Sequence, residues 1–157
     1  MIEYQVDGNI RKTPAGVPIS SYKPFFDVPT TLVAADNGAV CEFNTAAGQL
    51  YTLPAAQVGL SFRFIVRTTA TSGVHRVACT TGDFFLGALA QATDGTYVTA
   101  TNVANGTSHL AWEGNGSTTS GIVGDWFDIL AISTTKWLVT AGYTTATGTE
   151  ATFWKTS

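Results

Sequence analysis

Residues 60–67, Leu-Ser-Phe-Arg-Phe-Ile-Val-Arg, alternate between large apolar and mostly polar side chains. Successive side chains of a strand point to opposite faces, so Leu60, Phe62, Phe64 and Val66 share one face. Ser61, Arg63 and Arg67 occupy the other, as a half-buried strand requires. Similar short runs recur from Thr30 onward, each bounded by Gly, Asn, Asp or Ser. They are 39–43, 49–53, 75–79, 83–86, 97–99, 109–112, 126–132, 136–141 and 151–154. The run 126–132 is apolar on both faces and reads as a central strand. It returns through Thr134-Thr135 into 136–141, a hairpin. Thr disfavours positive φ, so a four-residue loop is expected there instead of a primed two-residue turn. Asp94-Gly95, Asn105-Gly106 and Asn115-Gly116 mark turns at about ten-residue spacing, which suits successive hairpins. Thr fills 26 of 157 positions, and this β-branched bias also favours strands. The expected fold is all-β: one β-sandwich or jelly-roll-like barrel over 30–157.

Residues 1–29 differ in character. Pro14, Pro18, Pro24 and Pro29 fall within sixteen positions, which rules out a helix and disfavours a central strand. Between them stand Val17, Ile19, Tyr22, Phe25 and Phe26, too apolar for a solvated linker. The segment reads as an extended arm whose large side chains contact a neighbouring subunit or a partner surface. The alternative is that Phe25 and Phe26 begin the first core strand.

Charge and motif content exclude several functions. Eight basic against eleven acidic residues leave a net charge of −3, no reservoir for neutralising phosphates, so nucleic acid is an unsuitable partner. No stretch reaches the ~20 apolar residues of a membrane helix, and the first residues lack the pattern of an export signal. A product made in a cytosol is expected. Cys41 and Cys79 read as buried free thiols.

The search for a catalytic set finds no GxSxG, HExxH, Walker loop or paired CxxC. His75 and His109 read as surface or interface histidines. Asp125 and Asp128, three apart on a strand, point to opposite faces and cannot flank one bond as glycosidase carboxylates do. Asp125 reads as a turn residue at the start of the strand. No calcium-loop spacing joins the remaining acids. The expectation is a protein without catalytic residues, cofactor or metal. Among the aromatics, Trp126 and Trp137 read as core, while Trp112 and Trp154 divide between core and interface. Gly82-Asp83-Phe84-Phe85 echoes Gly124-Asp125-Trp126-Phe127, too short a match to establish a repeat.

Taken in order, Thr30-Thr31-Leu32-Val33-Ala34-Ala35-Asp36-Asn37-Gly38, Tyr51-Thr52-Leu53-Pro54-Ala55, Gly59-Leu60-Ser61-Phe62-Arg63-Phe64, Gly124-Asp125-Trp126 and Lys136-Trp137 form a familiar series. It resembles small β-domains of tailed-bacteriophage virions, similar to head decoration (cement) proteins, with related modules in head and tail fibres. The resemblance covers about residues 30–140 and departs from the pattern at Thr134-Thr135, Cys41 and Cys79. It implies a homotrimer on the outside of the capsid, bound to the major capsid protein and stabilising the shell. Val17, Ile19, Tyr22, Phe25, Phe26, Trp112 and Trp154 are the candidate contact residues. A fibre tip for receptor binding is the alternative reading. A carbohydrate-binding module is the third, and would need Trp112 or Trp154 exposed beside hydrogen-bonding groups.

Overall fold

The structure, a computed structural model, describes residues 25–93 and 98–157. Val17, Ile19, Tyr22 and the Asp94-Gly95 turn therefore lie outside the described residues. Twelve strands are described: β1 (Phe25–Phe26), β2 (Thr30–Thr31), β3 (Val40–Phe43), β4 (Gln49–Thr52), β5 (Ser61–Val66), β6 (His75–Ala78), β7 (Phe84–Thr93), β8 (Val98–Asn105), β9 (Ala111–Gly114), β10 (Trp126–Ala131), β11 (Lys136–Ala146) and β12 (Trp154–Lys155). The one helical element among them is a 3₁₀ turn at Ala34–Asp36. A seven-stranded sheet runs β1-β3-β5-β10-β11-β7-β8, and a five-stranded sheet runs β12-β9-β6-β4-β2. Two face-to-face layers make this a sandwich. The doubly apolar β10 is the central strand of the larger sheet, as its sequence requires.

The chain reaches this fold by crossing between sheets, not by successive hairpins. From β1 to β7 each strand lies in the sheet opposite to the one before it. Strands that follow each other within a sheet therefore run the same way: β1–β3, β3–β5, β2–β4 and β4–β6 are all parallel. These parallel pairs exclude a wholly antiparallel jelly roll. Of the successive hairpins expected at Asp94-Gly95, Asn105-Gly106 and Asn115-Gly116, the first pair, β7–β8, is antiparallel as expected. From β8 to β9 and from β9 to β10 the chain crosses between sheets, which corrects the other two. The crossing loops stack at one end. Thr71 N–H donates to Ala46 O at 2.8 Å and Ala70 N–H to Gly121 O at 3.1 Å. Gly116, at φ +72°, comes so close that a Cβ there would lie 1.8 Å from Ala70 O. Only glycine fits. The expected β10–β11 hairpin is present, its four connecting residues 132–135 free of positive φ.

The sandwich is filled with rings. Phe43, Phe62, Phe64, Phe85, Phe127 and Trp137 come from the larger sheet, and Tyr51, His75, Trp112 and Trp154 from the smaller. They interlock across the layers, with centroids 4.9 Å apart for Trp112–Phe127, 5.1 Å for Phe43–Tyr51 and 5.2 Å for Phe85–Trp154. Offset and edge-on arrangements at such separations add to the burial term. His75 is fully buried, against the expectation of a surface histidine, and burial lowers its pKa.

The two Gly-Asp-aromatic-Phe segments share one local structure. Asp83 N–H bonds Thr80 O and Asp125 N–H bonds Ile122 O, both at 3.0 Å, closing turns with Gly82 and Gly124 at positive φ. Each carboxylate is buried and collects backbone donors from elsewhere. Asp83 accepts from Ala56 N at 2.8 Å. Asp125 Oδ2 accepts from Gly121 N and Ile122 N, and Oδ1 accepts from Thr145 N and Thr145 Oγ1. Asp125 is thus a turn residue that also fastens the 115–121 loop to β11.

Candidate functional site

The outward face of the seven-stranded sheet carries the side chains that the core does not use. Strand alternation and register arrange them in rows. One row is Ile65–Trp126–Tyr143, from directly opposed positions on β5, β10 and β11. The next is Val40–Arg63–Asp128–Ala141, with Phe25 at its outer end beside Val40. A third is Ser61–Leu130–Leu138–Leu86, reaching β7. Trp126 is partly exposed and Tyr143 is 36% exposed, so two aromatic edges stand together on this surface.

Arg63 organises the centre. Its Nε and Nη2 donate to Asp128 Oδ1 and Oδ2 at 2.7 and 2.6 Å, a bidentate pair between opposed positions of β5 and β10. The guanidinium carbon lies 5.2 Å from the centroid of Trp126. The Asp128 hydrogen bonds raise the Arg63 pKa further above its already high value. Because Ile129 pairs with Val139 and Asp128 with Ala141, Thr140 is the extra residue of a β-bulge. Its Oγ1 donates to Asp128 O at 3.3 Å. Two shallow depressions, each about 260 Å³, meet at Arg63. One is lined by Ser61, Asp128, Leu130 and Thr140, the other by Ile65, Gly124 and Trp126.

The leucine row lies toward the opposite end of the same face. Beyond it the β10–β11 connection exposes Ile132, and Gly59 N–H bonds Ala131 O at 2.9 Å, bringing the loop of 73%-exposed Val58 alongside. Phe84 and Lys136 are opposed there, with the Lys136 ammonium 4.7 Å from the Phe84 centroid. Five aliphatic residues in one region, none of them part of the core cluster, make an apolar patch on this face.

The structure separates the candidate contact residues. Trp112 and Trp154, at 0% and 3% exposure, lie between the sheets, so neither indole can meet a partner or stack on a sugar. Their strands β9 and β12 pair with each other and turn these rings inward. Phe25 and Phe26 form β1, the edge of the larger sheet, so that sheet begins before Thr30. Phe26 packs on the core and its carbonyl accepts from Tyr51 Oη at 3.0 Å, whereas Phe25 is 58% exposed. Only Phe25 of this pair is free to make an outside contact. Trp126, expected in the core, faces outward instead. Cys41 and Cys79 are free, and burial pushes both thiols up, Cys41 to about 12.

The grouping of Arg63, Trp126, Asp128, Thr140 and Tyr143 is not evident from the sequence. Its signal there is partial: Arg63 sits on the polar face of 60–67, and Trp126 and Asp128 share a face by spacing. What brings them together is the antiparallel β5–β10 register, which no local pattern encodes. Compared with known proteins, the chain matches no family model, no curated protein and no solved structure.

Proposed function

We propose that this chain is a non-catalytic virion structural protein, a capsid decoration protein that binds the outside of the major capsid shell as a homotrimer and stabilises it. The observation that carries this reading is the apolar end of the outward face, formed by Leu86, Leu130, Leu138, Ile132 and Val58. Each such side chain gains roughly 1.5–3 kcal/mol when fully buried, so a handful of half-buried ones can hold a compact domain on a protein surface. Edge design supports the same reading. β2 and β12, the two edges of the five-stranded sheet, are two residues long, which discourages extension of that sheet and favours the faces as the means of association. The virion assignment and the choice of three copies come from the sequence resemblance.

Light scattering coupled to size exclusion should give about three chain masses, and the protein should cosediment with capsids stripped of their decoration and raise their melting temperature. Leu138→Glu puts a charge into the leucine row without touching the core, and should abolish cosedimentation while the isolated domain keeps its fold. Full shell binding by Leu138→Glu would remove this face from the proposal. Failure of the unmodified protein to bind any capsid would remove the decoration role itself.

A further inference from the structure

We propose that the Arg63–Trp126–Asp128 cluster is a saccharide-binding site, taking two consecutive pyranose units of an oligosaccharide. A pyranose presents an apolar C–H face and a rim of hydroxyls, so its receptor must offer a ring or aliphatic floor beside paired donors and acceptors. The outward face provides both. Ile65, Trp126 and Tyr143 stand in one cross-strand row. In the adjoining row Arg63 supplies donors and Asp128 acceptors, side by side, with Ser61 and Thr140 hydroxyls lining the same depression.

Four features favour this ligand class over others. The pair's charges cancel, so a simple anion or cation finds no net charge to bind, whereas a hydroxyl can accept from the guanidinium and donate to the carboxylate. Three mutual contacts hold Arg63 in place without a ligand, so little side-chain entropy remains to be lost on binding. The two depressions are open and share Arg63 between them, which fits consecutive units of a chain lying across a sheet better than one enclosed molecule. A partly exposed ion pair by itself contributes little to stability. Sheet stability also needs no bulge, yet the bulge adds an exposed hydroxyl next to Asp128. One depression shares Ser61 and Leu130 with the leucine row, whereas Ile65, Trp126 and Tyr143 lie on the far side of Arg63 from it, so a shell-bound molecule could still present the aromatic part of the site. The burial of Trp112 and Trp154 removes the sugar-stacking positions expected from sequence, and Trp126 with Tyr143 takes their place.

The full-length protein should be applied to an array of cellotriose, maltotriose, chitotriose and bacterial lipopolysaccharide O-chains. Binders are then titrated by saturation-transfer NMR, in which the sugar C–H protons should receive magnetisation. Trp126→Ala should weaken the strongest binder about tenfold or more, equivalent to ~1.4 kcal/mol. Asp128→Asn and Tyr143→Ala should each weaken it measurably, and serve as the test if Trp126→Ala does not fold. Arg76→Gln, on the outer face of the five-stranded sheet, should leave affinity unchanged. Absence of binding across the array overturns the proposal. So does binding that survives Asp128→Asn and Tyr143→Ala at wild-type strength. Cosedimentation of Tyr143→Ala with capsids should persist in either case, which keeps this result separate from the decoration reading.

Discussion

Replacing Asp125 with Asn tests the electrostatics of the fold at its most buried carboxylate. Asp125 is 1% exposed, and burial raises its carboxyl from the ordinary 3.8 to about 6 against the pull of four donors. The proton has a place to go, because Oδ1 lies 2.6 Å from Thr145 Oγ1, a hydroxyl that can turn and accept. Between pH 3.8 and about 6 the folded chain keeps a proton that the unfolded chain has released. Stability from this group is therefore fully present below 3.8 and is lost as pH rises through about 6. At ~1.36 kcal/mol per pH unit, the rise from 3.8 to about 6 amounts to roughly 3 kcal/mol. His75 works in the opposite sense over neighbouring pH. Burial lowers its pKa from 6.5, so the unfolded chain takes up its proton first and stability falls as the pH drops below 6.5. The wild-type profile contains both, and Asp125→Asn isolates one. The assay is urea unfolding followed by tryptophan fluorescence at half-unit steps from pH 4 to 7. The difference in unfolding free energy, wild type minus Asp125→Asn, should fall by roughly 2–2.5 kcal/mol across that range, because at pH 4 the unfolded carboxyl is already more than half ionised. A difference that rises with pH would refute the reasoning, since the four hydrogen bonds would then outweigh desolvation.

Other substitutions probe the packing directly. Gly116→Ala forces a Cβ onto Ala70 O at positive φ, and should cost about 3 kcal/mol or more, seen as a lowered urea midpoint. Trp112→Ala should cost roughly 3–5 kcal/mol, and Trp126→Ala well under half of that, because only the first indole is buried between the sheets. A double-mutant cycle of Arg63→Ala and Asp128→Ala should give a coupling below about 1 kcal/mol that shrinks in 1 M salt. Cys41 should resist a soluble disulfide reagent at pH 8 in the folded protein and react at once in 6 M guanidinium.

Much of the strand inventory was legible because period-two alternation and turn residues are local. The run 60–67 contains β5, 126–132 contains β10, and the hairpin through Thr134-Thr135 forms with the expected four-residue connection. Asn105 and Asn115 act as the turn residues they resembled, each side-chain oxygen accepting two following backbone N–H groups. Sheet membership was not legible. A run such as 49–53 has the same alternation whether it pairs with the strand before it or crosses to the other layer. The crossing is decided by how loops 44–48, 67–74 and 115–121 stack, and that depends on contacts between residues dozens of positions apart.

The tryptophans show the consequence for function. Trp112 lies next to polar, Gly-rich sequence, and Trp126 opens the most apolar strand of the chain, so local composition ranks Trp126 as the more buried. The ranking inverts because alternation fixes which residues share a face, not whether that face is inner or outer. On β10 the inner set is Phe127, Ile129 and Ala131, each 1% exposed, which commits Trp126, Asp128 and Leu130 to the outside. A half-buried outer face on a central strand can itself be apolar when Arg63, Tyr143 and Leu138 cover its flanks. Such an apolar run has two explanations, a doubly buried strand or an outer face kept apolar for a contact. In this fold β10 is not doubly buried, and its outer face places an aromatic ring beside an ion pair at the centre of the larger sheet.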